Sequence, residues 1–388
     1  MRIAHVITRM IVGGAQENTL LTVRGLVEHG HDVVLVTGSS PGPEGKLLER
    51  LAVPGFEVLE IPALQRELNP VADLCAYREL RQFFQENRFE VVHTHSSKAG
   101  ILGRLAARRA GVPIILHTVH GQPFHPYEAW WRNRLYIHAE CVAARACDRI
   151  LAVCQAMIDQ CVAARVAPRE MYRVVYSGME IEPFLQARRD PALRRRLGIP
   201  EDAPVIGKIA RLFHLKGHDC LLAAAPAVVR EFPAVRFLLV GDGILRQPLE
   251  REIRRLGLER NFVFAGLVPP ADIPQYTAQM DGLVHLSLRE GLPRTVVQAL
   301  ATGVPAVGFA LDGTPEVIVD GQTGYLCPPR DVAAVAAALL KLLRSPQRAR
   351  DLGRRGQEFV RHRFDWRQMV AAIEGEYLAL AHASRTAP

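Results

Sequence analysis

The sequence has 388 residues, of which 49% are hydrophobic and 23% charged, and its net charge is +8. This composition is typical of a globular protein and excludes a disordered or collagen-like chain, while the length predicts two domains. Arg2, His5 and Arg9 interrupt the apolar N-terminus, and no run of eighteen apolar residues follows. We therefore expect neither a signal peptide nor a membrane-spanning helix.

From the N-terminus, short apolar runs alternate with amphipathic helical patterns. The predicted strands of the first half are RIAHVIT, HDVVLVTG, FEVLEIP, FEVVHTHS, VPIILHTVHG, DRILAVC and YRVVYSG. The predicted helices are 17–29, 72–87, 98–110 and 126–145, with one more entered from DRILAVC. Short strands separated by helices of this length predict βαβ units and a parallel sheet.

Residues 181–204 break this pattern with prolines and arginines, and we predict the connection between the domains there. The alternation then restarts with the strands APVIGKIARL, VRFLLVGDG, NFVFAGLV, GLVHLSL, VPAVGFA and GYLCPP. Helices are predicted at 220–231, 245–256, 271–279, 295–302 and along the tail from 332 to 382. We therefore expect two doubly wound α/β domains, 1–184 and 185–365, that bind ligands at the carboxyl ends of their strands.

The seven cysteines are an odd number and include no CxxC pair. Four of them are six or seven residues apart: Cys141, Cys147, Cys154 and Cys161. This spacing predicts one buried helical face rather than a metal or redox site. Reduced thiols without an export signal predict a cytoplasmic protein.

Gly13 and Gly14 lie between the first strand and the first helix, where glycines allow a backbone to approach a phosphate. The motif is not GxGxxG, and the second strand ends in Val36-Thr37-Gly38 rather than in an acidic residue. The dinucleotide fingerprint is therefore absent. A ligand-touching loop and a plain tight turn both remain open.

Arg211 and Lys216 flank the first strand-to-helix loop of the second half. Two cations five residues apart across a loop can converge on one anion, such as a diphosphate leaving group. Such a pair could replace a metal ion. The alternative is that the two residues are a solvated surface pair. Their location at the carboxyl end of a strand, where such sheets bind ligands, makes this alternative less favourable.

The segment from Ser287 to Gln298 follows a strand and enters a helix. Glu290 lies in the loop, where its carboxylate can accept hydrogen bonds from hydroxyls. Gly291 permits close backbone approach, and Pro293 suits the first turn of a helix. Gln298 lies about one turn further on and could hold a ribose hydroxyl. The alternative is a capped helix with a surface glutamate.

These motifs together resemble the retaining glycosyltransferases of family 4. The resemblance rests on GGAQ at Gly13, the Arg211 and Lys216 pair, VGDG at Val240 and EGLP at Glu290. It also includes AxGVPAVG and DGxTGYLCPP further along the chain. The family has the GT-B fold, in which two Rossmann-like domains face each other across a cleft. The resemblance also implies that the C-terminal helix, 366–388, packs back on the first domain.

The resemblance implies roles for single residues. Arg211 and Lys216 would bind the donor diphosphate, and Glu290 would contact the transferred sugar. His120 would face the reacting sugar from the first domain, as a hydrogen-bond donor to a hydroxyl or to developing charge. Further contacts to the donor are implied for Gly14, Gly241, Gly243, Gly266, Leu267, Gly291, Leu292 and Pro293. Gln298 stands where the family usually has a second glutamate.

His93 and His95, like His117 and His120, have spacings that metal ligands use. No carboxylate cluster accompanies them, so we expect no metal. We also expect no cofactor besides the donor. The chain carries no zinc-finger, RNP-like or helix-turn-helix signature, so we expect no nucleic acid partner.

A further signature lies around Trp130, Trp131, Arg132 and Arg134. Tryptophans beside arginines can dock on a membrane surface near a lipid-linked acceptor, or the tryptophans can pack inside the domain; both remain open. HTHSSKAG with HTVHGQPF resembles the bacterial branch that builds capsule, exopolysaccharide or O-antigen units on polyprenyl diphosphate.

The sequence thus predicts a metal-independent transferase that moves a hexosyl or N-acetylhexosaminyl group. The donor would be a UDP- or GDP-sugar, and the acceptor a lipid-linked saccharide at the inner face of the plasma membrane. The resemblance implies retention of the anomeric configuration. Two alternatives stay open: a nucleotide-sugar epimerase on the same fold, and a non-catalytic sugar-binding scaffold.

Overall fold

The computed structural model describes residues 1–39 and 55–386. The chain divides into two compact units, each with its own core. The first unit comprises Met1–Met179 and the segment from Trp366 onward, and the second comprises Glu180–Asp365. The chain passes from the first unit to the second after Met179, five residues before the predicted boundary, and it returns to the first unit at Trp366.

The first unit is a seven-stranded parallel sheet with strand order β3-β2-β1-β4-β5-β6-β7. Its strands are β1 (Arg2–Arg9), β2 (Asp32–Gly38), β3 (Glu57–Glu60), β4 (Val91–His95), β5 (Ile114–Val119), β6 (Arg149–Ala152) and β7 (Tyr172–Val174). Its helices are α1 (Gly14–Glu28), α2 (Pro70–Asn87), α3 (Ser97–Ala110), α4 (Trp130–Ala144), α5 (Gln155–Ala163) and, from the C-terminus, α14 (Trp366–Thr386).

The second unit is a six-stranded parallel sheet with strand order β10-β9-β8-β11-β12-β13. Its strands are β8 (Val205–Ile209), β9 (Arg236–Val240), β10 (Phe262–Gly266), β11 (Gly282–His285), β12 (Ala306–Phe309) and β13 (Gly324–Cys327). Its helices are α6 (Glu182–Gln186), α7 (Pro191–Arg196), α8 (His218–Glu231), α9 (Arg246–Arg255), α10 (Ile273–Thr277), α11 (Arg294–Ala301), α12 (Val332–Arg344) and α13 (Pro346–Arg363). The predicted pair of doubly wound sheets is confirmed.

The central strands are apolar on both faces because helices cover both faces of each sheet. In β1, Ile3 and Ile7 pack into one hydrophobic cluster, whereas Ala4 and Val6 pack into another on the opposite face. Strand β1 lies between β2 and β4, and β8 lies between β9 and β11. The strand order therefore reverses at β1/β4 and at β8/β11, which is where doubly wound sheets bind ligands.

Helix α14 packs against α1 in the first unit. Trp366, Met369 and Val370 join the core cluster on that face of the sheet. The guanidinium carbon of Arg24 lies 4.0 Å from the centre of the Trp366 ring. Glu374 accepts hydrogen bonds from His29 and His31 of the α1–β2 turn, which holds its pKa below the usual range.

The segment predicted to connect the domains packs within the second unit as α6 and α7. Arg194 on α7 is buried and donates hydrogen bonds to the carbonyl oxygens of Pro200 and Ala203. The prediction that the four cysteines lie on one buried helical face was wrong. Cys147 and Cys154 are buried, but both lie outside the helices, next to β6.

Candidate functional site

The switch point of the second unit brings two loops together. Strands β8 and β11 are paired neighbours, so the loop after β8 lies beside the loop after β11. The amide of Leu288 donates to the carbonyl of Leu215 at 2.8 Å. Gly217 adopts φ +66°, and a Cβ there would lie 2.0 Å from the carbonyl oxygen of Leu286. Only glycine permits this close approach of the two loops.

The predicted residues Lys216 and Glu290 meet across these loops. The Nζ of Lys216 donates to Oε2 of Glu290 at 2.8 Å, and both side chains are about three-quarters buried. Burial opposes ionisation of Glu290, but the Lys216 ammonium and hydrogen bonds from Lys216 and Ser287 outweigh it. The pKa of Glu290 therefore lies below its ordinary value, and the carboxylate is charged at neutral pH.

Two further groups fix the position of Glu290. Its backbone amide donates to the Asp312 carboxylate at 2.8 Å, and Asp312 itself adopts φ +50°. Nε2 of His285 lies 3.8 Å from Oε2 of Glu290. Burial lowers the pKa of His285 to about 4, although Glu290 opposes that shift. The histidine is therefore neutral at neutral pH and does not compete with Lys216 as a cation.

Residues 291–293 lead from Glu290 into α11. Gly291, Leu292 and Pro293 are buried, and α11 begins at the next residue, Arg294. The first turn of this helix presents backbone amides towards the loop, which favours negative charge there. Pro293 was predicted to lie in the first turn of the helix, but it is the residue that precedes the helix.

Lys208 lies on β8 beneath this pair. Its side chain is buried. Burial, together with the nearby Lys216 ammonium, lowers its pKa to about 7. His218, the first residue of α8, is also buried and bonds to the carbonyl of Arg211 at 3.0 Å. Burial lowers the pKa of His218 to about 4.

Arg211 occupies the other end of the loop after β8. Its guanidinium carbon lies 5.2 Å from the centre of the Phe213 ring. Unlike Lys216, it forms no ion pair with a carboxylate among residues 1–39 and 55–386. The Arg211 guanidinium is thus exposed at the carboxyl end of β8, whereas the Lys216 ammonium is paired with Glu290. Gln298, on α11, is half-buried.

The loop after β9 is tied to the loop after β8. Leu212 donates from its amide to the carbonyl of Asp242 at 2.9 Å. Gly241 and Gly243 have φ values of +129° and +153°, and a Cβ at Gly241 would lie 2.2 Å from the carbonyl oxygen of Ala210. Gly241 also donates to the carbonyl of Gly266, the last residue of β10, which has a φ of +71°. These glycines bring three loop backbones to one edge of the sheet.

Leu267 follows Gly266 and is 78% exposed. A leucine exposed next to this set of loops has no packing role in the second unit.

In the first unit, His120 lies just beyond β5 and lines a cavity of about 290 Å³. Thr118, Gln122 and the buried ion pair between Arg104 and Glu140 also line it. The Arg104 and Glu140 atoms lie 2.6 Å apart. Gly14 begins α1, next to Ala15, which lines the same cavity. Gly13 has an extended φ of 178°, which any residue can adopt.

Behind His120, three further histidines come together on the face of the sheet that α14 covers. His5, His93 and His95 are buried, and each offers one ring nitrogen within 4.8 Å of the others. Geometrically, these three rings could hold a metal ion. Each ring nitrogen is, however, already in a hydrogen bond.

The tryptophan signature lies at the start of α4. Trp130 and Trp131 are 72% and 52% exposed. Arg132 lies over the Trp131 ring at 5.1 Å. The alternative that both tryptophans pack inside the domain is therefore wrong. Among the described residues, no helix is long and apolar enough to cross a membrane.

Comparison with known proteins assigns both units. Residues 13–178 match the family described as "Glycosyl transferase 4-like domain", and residues 190–359 match "Glycosyl transferases group 1". The D-inositol 3-phosphate glycosyltransferase of Saccharomonospora viridis is 30% identical, covering 93% of this chain and 88% of its own length. The chain belongs to the family 4 glycosyltransferases.

Two further relatives of this glycosyltransferase are informative. A protein of Escherichia coli named "UDP-Gal:alpha-D-GlcNAc-diphosphoundecaprenol alpha-1,3-galactosyltransferase" is 28% identical over 88% of each chain. The structure of Anabaena HepE in complex with UDP-glucose has a TM-score of 0.79 and 24% identity, covering 99% of this chain and 100% of HepE. The fold of the glycosyltransferase is therefore GT-B.

Sequence reasoning missed several residues of the glycosyltransferase that surround Glu290 and His120. Lys208 could have been found as a charged residue inside the apolar run VIGKI. His285 stands in a similar position in GLVHLSL. Asp312 and Tyr377 are far from the motifs in sequence, and only the fold brings them to Glu290 and to the histidines.

Proposed function

We propose that this glycosyltransferase moves a sugar from a UDP- or GDP-sugar to a lipid-linked saccharide and retains the anomeric configuration. The observation that carries the proposal is the Lys216–Glu290 ion pair at the switch point of the second unit. A cation and a carboxylate, set side by side at the start of α11, suit a diphosphate and the sugar attached to it.

The second unit holds the donor in this proposal. Arg211 and Lys216 bind the diphosphate, and their charges replace a metal ion. Glu290 accepts a hydrogen bond from a hydroxyl of the transferred sugar, and Gln298 accepts one from the ribose. The remaining donor contacts of this unit come from the loops around Gly241, Gly243, Gly266, Leu267, Gly291, Leu292 and Pro293, and Gly14 of the first unit adds one more.

The reaction proceeds on one face of the sugar. As the glycosidic bond breaks, negative charge grows on the diphosphate, and the ammonium of Lys216 stabilises it. The departing phosphate oxygen accepts the proton of the acceptor hydroxyl that attacks the same face. Glu290 keeps its charge through the step, since its pKa is lowered, and holds the sugar rather than serving as an acid.

The first unit supplies the acceptor side, with His120 directed to the reacting sugar. The Escherichia coli relative is named for an acceptor on diphosphoundecaprenol, which favours a polyprenyl-linked acceptor here. The product would then belong to capsule, exopolysaccharide or O-antigen synthesis. This placement requires the protein to work in the cytoplasm at the inner face of the membrane.

The exposed start of α4 supports that location. Trp130 and Trp131 supply an apolar surface, and Arg132 and Arg134 supply positive charge for anionic headgroups. Flotation with vesicles containing anionic phospholipid tests this contact. We expect the wild type to float and the Trp130→Ser, Trp131→Ser double variant to stay in the dense fraction. Equal flotation of both proteins would rule out contact through this patch.

The two alternatives predict other products from the same incubation. A nucleotide-sugar epimerase converts the donor to its epimer without an acceptor, and a scaffold leaves the donor unchanged. UDP- and GDP-sugars should be incubated with and without polyprenyl diphosphate saccharide, and the products separated by mass and chromatography. Sugar on the lipid only when both substrates are present supports transfer. An epimer from the donor alone, or an unchanged donor in every mixture, would refute it.

A further inference from the structure

His285, the last residue of β11, has a buried ring nitrogen that no hydrogen bond satisfies. Its Nε2 lies 3.8 Å from Oε2 of Glu290, which is too far for a hydrogen bond. Among residues 1–39 and 55–386, no other atom forms a hydrogen bond with this nitrogen. A buried polar atom without a partner is costly in free energy, so the position of this nitrogen requires an explanation.

The surroundings of His285 determine which of its nitrogens carries the proton. Burial lowers the pKa of His285 to about 4, so the ring is neutral and has one donor and one acceptor nitrogen. A lone pair at Nε2 would face the charged carboxylate of Glu290, whereas an N–H at Nε2 is attracted to that charge. Nδ1 is then the acceptor, and the hydroxyl of Thr295 on α11, 3.4 Å away, can donate to it. His285 therefore presents its Nε2–H to Glu290.

Glu290 already has a stronger partner on the same oxygen. Nζ of Lys216 donates to Oε2 at 2.8 Å. A hydrogen bond from Ser287 also reaches the carboxylate, and Asp312 accepts from the backbone amide of Glu290. The carboxylate thus has one charged donor in contact and a neutral donor, His285, just out of reach.

Binding of a diphosphate competes for the ammonium of Lys216. A diphosphate carries more negative charge than one carboxylate, so Lys216 moves towards it and its bond to Oε2 weakens. Glu290 would then be a largely buried carboxylate without its cation, which is unfavourable. A small movement of the Glu290 side chain brings Oε2 within hydrogen-bonding distance of the Nε2–H of His285.

We infer that His285 is a positioning residue that takes over Oε2 of Glu290 from Lys216 when the donor diphosphate binds. This exchange satisfies the N–H of His285, keeps Glu290 oriented towards the sugar and releases the ammonium for the phosphates. A neutral donor suits the role, because it holds the carboxylate without attracting the diphosphate as a cation would. The inference rests on the proposed function for the binding of a diphosphate by Lys216.

A double-mutant cycle on nucleotide affinity tests the exchange without any transfer reaction. UDP and GDP are titrated into the full-length protein by calorimetry, and the nucleotide that the wild type binds more tightly is used throughout. We expect His285→Met to weaken its binding about tenfold, because Glu290 then loses Lys216 without gaining a donor. In the Lys216→Ala background the loss should be less than about twofold, because Glu290 has the same partners before and after binding.

Two further variants control the cycle. His285→Gln keeps an N–H donor near the position of Nε2, and we expect it to restore most of the affinity that His285→Met loses. Lys341→Ala on α12 replaces Lys216→Ala in a second cycle, where the effects should add because this charge lies outside the proposed donor site. If His285→Met weakened binding equally in the wild-type and Lys216→Ala backgrounds, its role would be structural only, and the inference would be overturned.

Nitrogen NMR of the ¹⁵N-histidine-labelled wild type is a second test, which does not require His285→Met to fold. The His285 signals are assigned from the spectrum of His285→Gln. We expect a protonated Nε2 in the free protein and a downfield shift of its proton when the nucleotide is added, because the N–H then bonds to a carboxylate. An unprotonated Nε2, or a proton whose shift the nucleotide leaves unchanged, would overturn the inference.

The affinities also separate this inference from the proposed function. If Lys216→Ala bound the nucleotide as tightly as the wild type, the proposed donor site would be wrong, and the exchange would be refuted with it. Weaker binding by Lys216→Ala, together with additive effects of His285→Met, would leave the donor site intact and overturn the exchange alone.

Discussion

The Nζ of Lys216 lies 2.8 Å from Oε2 of Glu290, although the two residues are 74 positions apart in the chain. Pairing of β8 with β11 creates this contact, because it sets the loops after both strands side by side. The ion pair helps to hold the pKa of Glu290 below its ordinary value, and about a quarter of each side chain remains exposed. It therefore provides a cation and a carboxylate ready for an anionic, hydroxyl-bearing ligand.

The first prediction concerns nucleotide binding. Lys216→Ala removes the ammonium that we assign to the diphosphate, and we expect UDP or GDP to bind about tenfold more weakly or worse. The fold should persist, because partly exposed ion pairs contribute at most about 1 kcal/mol. Isothermal titration calorimetry measures the affinity, with Lys341→Ala on α12 as the control for loss of one positive charge. Equal affinities for wild type and Lys216→Ala would show that Lys216 is not in the site.

The second prediction concerns pH and stability at Lys208. Burial lowers the folded-state pKa of Lys208 to about 7 from its ordinary 10.5. The unfolded chain therefore binds more protons between these pH values, and this lysine destabilises the fold increasingly as pH falls from 10.5 towards 7. Lys208→Met should raise the free energy of unfolding at pH 7.5 by about 1–4 kcal/mol. Urea-induced unfolding measures it.

The pH dependence of the stability gain from Lys208→Met provides a control. At pH 10 the lysine is neutral in the folded state and has begun to lose its proton in the unfolded state, where its pKa is 10.5, so the gain from Lys208→Met should shrink. A gain of the same size at pH 7.5 and pH 10 would show that packing, not charge burial, is responsible. A loss of stability at pH 7.5 would contradict the account of Lys208.

The third prediction concerns the loop that carries Lys216. Gly217→Ala combines a left-handed φ with a collision between Cβ and the Leu286 carbonyl, whereas Gly198→Ala has the same φ of +66° and open space around it. The left-handed φ alone is expected to cost about 1–2 kcal/mol. We expect Gly217→Ala to unfold at clearly lower urea concentration than Gly198→Ala. Equal midpoints would show that the loops do not need this close contact.

Much of the fold could be predicted from the sequence because apolar runs and helical periods are local features. The two parallel sheets and the strand positions followed from them, whereas the family was recognised by the resemblance of its motifs. Helix ends shifted by a few residues: α1 begins at Gly14 rather than at 17, and α8 begins at His218 rather than at 220. Residues 181–204 lacked periodicity yet form two short helices, of which α6 packs through Phe184 and α7 through Leu193 and Arg194.

The site was only partly predictable. Lys216 and Glu290 were found from motifs, because a loop at a strand's carboxyl end can be recognised locally. Asp312 and Tyr377 could not be found this way, since their contacts depend on tertiary packing. The hydrogen-bonded partners behind His120 likewise come from β1, β4 and α14, which no single segment of the sequence contains.

The transfer rate of Glu290→Gln tests the central claim most directly. The substitution keeps size and removes the charge that pairs with Lys216. With the UDP- or GDP-sugar that the wild type uses and its lipid-linked acceptor, we expect kcat to fall about 100-fold or more while the circular dichroism spectrum stays the same. Transfer by Glu290→Gln at the wild-type rate would contradict the assignment of the donor site to this ion pair.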